Sequence, residues 1–151
     1  RAWKKQAPRG GVGIAVLPRD RFGELVVELK GKGPGDYQLP EITSEFITAA
    51  IPTKGAGPKK FYLNADGLGD DAALRIELFD DQERPLPGYS GKLAAVVRTS
   101  GFQTPISWNG KTEVHDLPER IRVHAVFEGK KNTDIRFSAI YMRDSEGAAA
   151  K

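Results

Sequence analysis

Apolar and polar side chains alternate with a period of two along run after run of this chain, the periodicity that sends successive side chains to opposite faces of a strand. Leu25, Val27 and Leu29 alternate with Glu24, Val26 and Glu28, and Leu74, Ile76 and Leu78 alternate with Arg75, Glu77 and Phe79. Ile121, Val123, Ala125 and Phe127 alternate with Arg122, His124, Val126 and Glu128; Ile135, Phe137, Ala139 and Tyr141 alternate with Arg136, Ser138, Ile140 and Met142. These last two runs, joined through Gly129-Lys130-Lys131-Asn132, read as a hairpin. Further strands are expected at 12–17, 46–51, 61–65, 93–98 and 102–108, about nine short strands in all. Pro105 has no N–H to donate to a ladder, so its strand should be an edge or carry a bulge. Ser44 could cap a helix over 43–51, but β-branched Ile47, Thr48 and Ile51 followed by Pro52 favour a strand. Without interleaved βα units or internal repeats, the expectation is an all-β fold: an antiparallel two-sheet β-sandwich, jelly-roll-like.

A length of 151 residues suits one such core. Residues 1–11 read as a linker or N-terminal arm, 12–143 as the β-sandwich domain and 144–151 as a tail. The chain opens on Arg1 with no apolar leader, which reads as a piece excised from a longer polypeptide whose signal peptide, if any, lies elsewhere. It has no stretch apolar enough to span a bilayer, so no membrane partner is expected. The formal charge of +3 belongs to the arm: residues 1–10 hold Arg1, Lys4, Lys5 and Arg9 with no acid, and the remainder has 19 basic against 20 acidic residues. No stretch interleaves aromatics with Lys and Arg, so no nucleic acid partner is expected.

The absence of cysteine removes disulfides, thiolate metal sites and thiol nucleophiles. His115 and His124 are the only histidines, without a third ligand at fixed spacing, and both read as exposed surface residues. Gly88-Tyr89-Ser90-Gly91 misses the G-x-S-x-G elbow by one position. The acidic stretches Asp66-Gly67-Leu68-Gly69-Asp70-Asp71 and Asp80-Asp81-Gln82-Glu83 read as turns, because Asp bonds its neighbouring backbone and Gly accepts positive φ. A structural calcium ion held by their oxygens is the one cofactor left open. The glycine-rich stretches 31–35 and 55–58 precede no helix and match no phosphate loop. No acid pair or nucleophile is placed for catalysis, so the domain is not expected to be an enzyme.

Four segments in order carry a family resemblance: Gly11-Val12-Gly13-Ile14-Ala15 leading to Leu17-Pro18-Arg19-Asp20-Arg21-Phe22-Gly23; Lys60-Phe61-Tyr62-Leu63-Asn64-Ala65-Asp66; Leu74-Arg75-Ile76-Glu77-Leu78 with Arg84-Pro85-Leu86-Pro87-Gly88-Tyr89-Ser90; and Ile106-Ser107-Trp108 followed by Ile121-Arg122-Val123. Over roughly residues 11–142 this order resembles the carboxy-terminal jelly-roll-like β-sandwich accessory domain of extracellular bacterial glycoside hydrolases and sialidase-like propeller proteins. The chain departs from that pattern at 91–95 and in its closing strand, 135–141. The resemblance implies a non-catalytic module of a secreted or periplasmic polysaccharide-degrading protein. A neighbouring catalytic domain in the parent chain would be one partner and a polysaccharide or oligosaccharide another.

Glycan binding would rest on aromatic rings stacked against apolar sugar faces, with polar side chains bonding the hydroxyls. Covering about 100 Å² of ring and sugar is worth roughly 2.5 kcal/mol, less than the roughly 4 kcal/mol or more that association costs. One ring is therefore insufficient, whereas two or three with hydrogen bonds reach a Kd on the order of 0.1–1 mM. Tyr37, Tyr89 and Trp108 are the rings expected to serve, supported by Arg98 and Asp80. Each has a packing alternative: Trp108 shares strand parity with Phe102, Thr104 and Ile106 and so suits the core, and Tyr89 could pack under a loop with its hydroxyl on backbone. A second reading is structural, a sandwich that buttresses a neighbouring propeller without binding sugar. Its interface would use Val26, Phe79, Val126 and Ile140, apolar residues on otherwise polar faces.

Overall fold

The computed structural model describes residues 19–27, 44–55 and 57–145. Ten strands lie among them: β1 (Leu25–Val26), β2 (Glu45–Ile47), β3 (Ile51–Pro52), β4 (Lys59–Asp66), β5 (Ala73–Asp80), β6 (Ala95–Val97), β7 (Gly101–Pro105), β8 (Glu113–Val114), β9 (Arg120–Glu128) and β10 (Arg136–Asp144). All pairings are antiparallel. One sheet, A, has the order β1-β10-β4-β7 with β8 also on β4; the other, B, has the order β2-β9-β5-β6 with β3 also on β9. The expected two-sheet sandwich is present, and with the short strands β3 and β8 set aside the two orders β1-β10-β4-β7 and β2-β9-β5-β6 are those of a jelly roll. The expected strand at 12–17 and the Leu29 end of the 25–29 run lie outside the described residues.

The core forms where the inward positions of both sheets meet: Phe61, Leu63 and Ala65 of β4, Leu74, Ile76 and Leu78 of β5, and Ile121, Val123, Ala125 and Phe127 of β9. The period-two reading holds for these three strands. The expected 46–51 strand is split, because the Thr48 hydroxyl accepts the Val123 N–H in place of a ladder carbonyl and the chain leaves the sheet until Ile51.

Two expectations fail at the carboxy-terminal strands. β9 and β10 are not a hairpin: β9 lies in sheet B and β10 in sheet A. Their connection folds against the β4–β5 crossover, with Lys131 N donating to Asp71 O and Gly129 (φ 98) so close that a Cβ would lie 2.2 Å from that same oxygen. The parity of β10 is also broken. Phe137 pairs with Ala65 and Ala139 with Asn64, leaving Ser138 as an extra residue, a bulge that reverses the facing of every side chain beyond it. Ile140 and Met142 pack on the core, while Tyr141 goes outward opposite Tyr62.

A second bulge lies across β4. Leu63 pairs with Thr104 and Ala65 with Gly101, so Phe102 and Gln103 together oppose Asn64, and Gln103 takes the left-handed φ of 57. Pro105 thus stands on an edge strand that is also bulged. Phe102 is 46% exposed while Trp108 is 2% exposed, so the two do not share a face as their parity implied.

Candidate functional site

Both bulges border Asn64, and together they shape the outer face of sheet A. Asn64 is fully buried although it points away from the core. The 19–21 segment closes over it: Arg21 Nε donates to Asn64 Oδ1 at 3.2 Å, and Asn64 Nδ2 donates to Asp20 O at 3.3 Å. Arg21 also forms a bidentate pair with Asp66. The Tyr141 hydroxyl donates to Asp20 Oδ2 at 2.8 Å. Loss of hydration and that bond to a carboxylate raise the Tyr141 pKa above its ordinary value, keeping the phenol neutral.

Beside this anchored segment three aromatic rings share the face. Tyr62 and Tyr141 are directly paired across β4 and β10, and Phe102 packs edge-on to Tyr141 with centroids 6.2 Å apart. The Arg143 guanidinium lies 5.2 Å from the Tyr62 centroid and 6.0 Å from that of Tyr141, and Arg19 lies 6.0 Å from that of Phe102. Aromatics and basic residues that do not interleave along the sequence do so here in space. Sequence reasoning missed all three rings: Tyr62 was legible as an outward position of a regular strand, whereas Phe102 and Tyr141 reach this face only through the bulges.

The expected site residues lie elsewhere and do not form one constellation. Tyr89 and Trp108 do meet, ring to ring at 6.0 Å and 89°. They border an open cleft of about 490 Å³ lined also by Asn109, Lys111, Glu113 and His115. Trp108, however, is core: its Nε1 donates to Ile76 O, and its ring packs edge-on to Phe61, so it offers no face for stacking. Tyr89 takes the alternative weighed for it, half-buried with its hydroxyl accepting the His115 N–H at 3.0 Å. Glu113, at the cleft, is held below its ordinary pKa first by the Ser145 hydroxyl and then by Lys60, against some desolvation. His115 is exposed, as expected, 3.8 Å from Glu113.

Asp80 caps its own turn. Its carboxylate accepts the backbone N–H groups of Gln82 and Arg84 at 2.9 Å and the Arg84 side chain at 2.7 Å. Those bonds, the Arg84 amide foremost, lower its pKa. Arg98 is exposed and donates to Asp70 O at 2.9 Å. Because β6 runs antiparallel to β5 with Val97 opposite Leu74, Arg98 stands at the start of β5 and Asp80 at its end, on the order of 20 Å apart at strand rise. Tyr37 lies outside the described residues. The Asp70-Asp71 pair forms the tip between bridged Gly69 and Ala72, the turn expected of it. Among the described residues no group of three or more His, Asp or Glu gathers as metal ligands.

The outer face of sheet B corrects two further expectations. His124 does project from the polar face but is not a free surface histidine: Nδ1 lies 2.8 Å from Glu77 Oε2 and Nε2 3.1 Å from Glu45 Oε2. Glu77, 6% exposed, also accepts Arg75 Nη1 and the Gly91 N–H. Burial pushes its carboxyl up, but the His124 bond, the Gly91 amide and the Arg75 charge outweigh burial and hold the pKa below its ordinary value. The expected apolar interface patch is not assembled either. Val126 is 3% exposed, Ile140 packs on the core, and Val26 and Phe79 belong to different sheets.

Comparison with protein-family models, curated proteins and solved structures found no match to this chain.

Proposed function

We propose that this domain is a non-catalytic carbohydrate-binding module that holds a polysaccharide on the outer face of sheet A. The observation that carries the reading is the convergence of Tyr62, Phe102 and Tyr141 on one face, bordered by the polar groups of Asp20, Arg21 and Asp66. Three rings exceed the single-ring threshold at which stacking fails to offset association. The Tyr89 cleft offers one ring, with its hydroxyl already engaged, and is the weaker candidate. The family resemblance, in which such a module accompanies a secreted propeller enzyme, adds a parent protein to the reading and does not alter the site.

Affinity electrophoresis of the chain in gels carrying soluble polysaccharides tests this. Retardation by at least one polymer, lost in Tyr62→Ala and Phe102→Ala with the unfolding temperature kept within a few degrees, is the expected result. Retardation that survives both substitutions but is lost in Tyr89→Ala would move the site to the cleft.

The buttressing reading has one observation in its favour. Phe22 is 81% exposed, and Leu25 and Val26 on edge strand β1 are 49% and 42% exposed, an apolar run that a neighbouring domain would cover. Absence of retardation on every polymer, with Phe22→Asp improving solubility, would favour it.

A further inference from the structure

We propose that the sheet A face selects acidic polysaccharides, polymers carrying uronate carboxylates, over neutral ones; this deepens the carbohydrate-binding reading and rests on it. The argument comes from how the cations of the face are partnered. Arg21 is matched by Asp66, and Lys60 by Glu113 at 3.4 Å. Arg143 lies over two tyrosine rings with no carboxylate in ion-pair range among the described residues. Arg19, its side chain 78% exposed, has one carboxylate in ion-pair range among the described residues, Asp20, which it meets through Nε at 3.5 Å rather than through its two terminal nitrogens.

Beside an aromatic ring a guanidinium is attracted through its charge and keeps the N–H groups of its edge for other acceptors. That edge is a planar fork that fits a carboxylate through two parallel hydrogen bonds, a fit a neutral hydroxymethyl group cannot give. The order Arg19, Phe102, Tyr141, Arg143, Tyr62 has each neighbour about 5–6 Å from the next. Arg19, with one carboxylate at 3.5 Å, and Arg143, with none in range among the described residues, therefore flank Phe102 and Tyr141, on which intervening sugars would stack. Two cations separated by two rings suit a polymer whose charges are spaced by whole sugar rings. A nucleic acid, with a phosphate at every nucleotide, gains its affinity from many cations, and this face has too few.

The test uses polygalacturonate, alginate and hyaluronan, each beside its methyl-esterified or carboxyl-reduced form, in affinity electrophoresis at low salt and at 0.5 M NaCl. The expected result is a Kd at least about tenfold lower for one or more of the acidic polymers than for its neutral counterpart. That advantage should shrink at high salt and fall below about threefold in R143Q and R19Q, whose unfolding temperatures match the parent. Lys92→Gln, in the remote turn Gly91–Leu93, should keep the full advantage. Equal retention of acidic and neutral forms, or retention of neutral polymers alone, overturns the acidic preference and leaves the stacking site standing. No retention on any polymer overturns both. Tighter binding to single-stranded DNA than to every uronate polymer also overturns the proposal, by assigning the face to a phosphate chain.

Discussion

The two outer faces of this sandwich handle charge in opposite ways. On sheet B, Glu77 gathers Arg75, His124 and the Gly91 amide, His124 reaches on to Glu45, and Arg75 on to Glu128, so that the charged groups satisfy one another. On sheet A, Arg143 lies beside two tyrosine rings with no carboxylate in ion-pair range among the described residues, and Arg19 lies beside Phe102 with Asp20 at 3.5 Å. A face whose donors and acceptors are matched internally contributes to stability and has little to offer a ligand. A face with unmatched donors over apolar rings contributes little to stability and is available for recognition. The cause is local. Sheet B's central strands pair in unbroken register over eight residues, whereas sheet A is interrupted on both sides of Asn64.

The contrast can be broken most severely at its origin. Inserting one alanine after Ala139 shifts the strand by a residue and would drive Tyr141 inward while expelling Ile140 and Met142; we expect a loss above about 4 kcal/mol in urea unfolding. An insertion costing less than about 1 kcal/mol would show that the register of β10 does not decide which face the rings occupy.

Glu77→Ala comes next. It leaves His124, Arg75 and an amide without their shared acceptor, at an expected cost of about 3 kcal/mol. Arg143→Ala on the opposite face should change stability by no more than about 0.5 kcal/mol. Similar costs at the two positions would erase the distinction between the faces.

A smaller effect separates the faces by pH. Glu77 is held below its ordinary pKa of 4.5, so its contribution is complete above that value and is lost as pH falls through the lower folded-state pKa. The urea midpoint of the parent should therefore drop more between pH 6 and pH 3 than that of Glu77→Gln, and parallel drops would remove Glu77 as the source. Phe102→Ala should stay within about 1 kcal/mol of the parent while weakening polysaccharide retention about tenfold. A large loss of stability there would mark Phe102 as a packing residue.

Much of the frame was legible in the chain. The 61–65, 74–79 and 121–128 alternations place Leu63, Ile76 and Val123 inward as found, and Asp70-Asp71 and Asp80-Asp81 mark real turns. Pro105 marked its strand as irregular, and a missing N–H was enough to say so. The site was less legible. Trp108 looked like a platform or core residue with nothing local to decide between them, and only the indole bond to Ile76 O and the ring of Phe61 seat it inside. His124 was rightly placed on the polar face, but its carboxylate partners come from two other strands, 47 and 79 positions away in sequence.

By itself, the sequence determined that strands would form, where most of them turn, and which side chains of the regular ones seek the interior, because those outcomes follow from local alternation and turn chemistry. Tertiary structure alone decided that β9 and β10 part into different sheets and that Tyr141 and Phe102 share an outer face with Tyr62. A strand's partner is chosen by contacts distant in the chain, and one unpaired residue reverses the facing of everything after it without altering the alternation that precedes it.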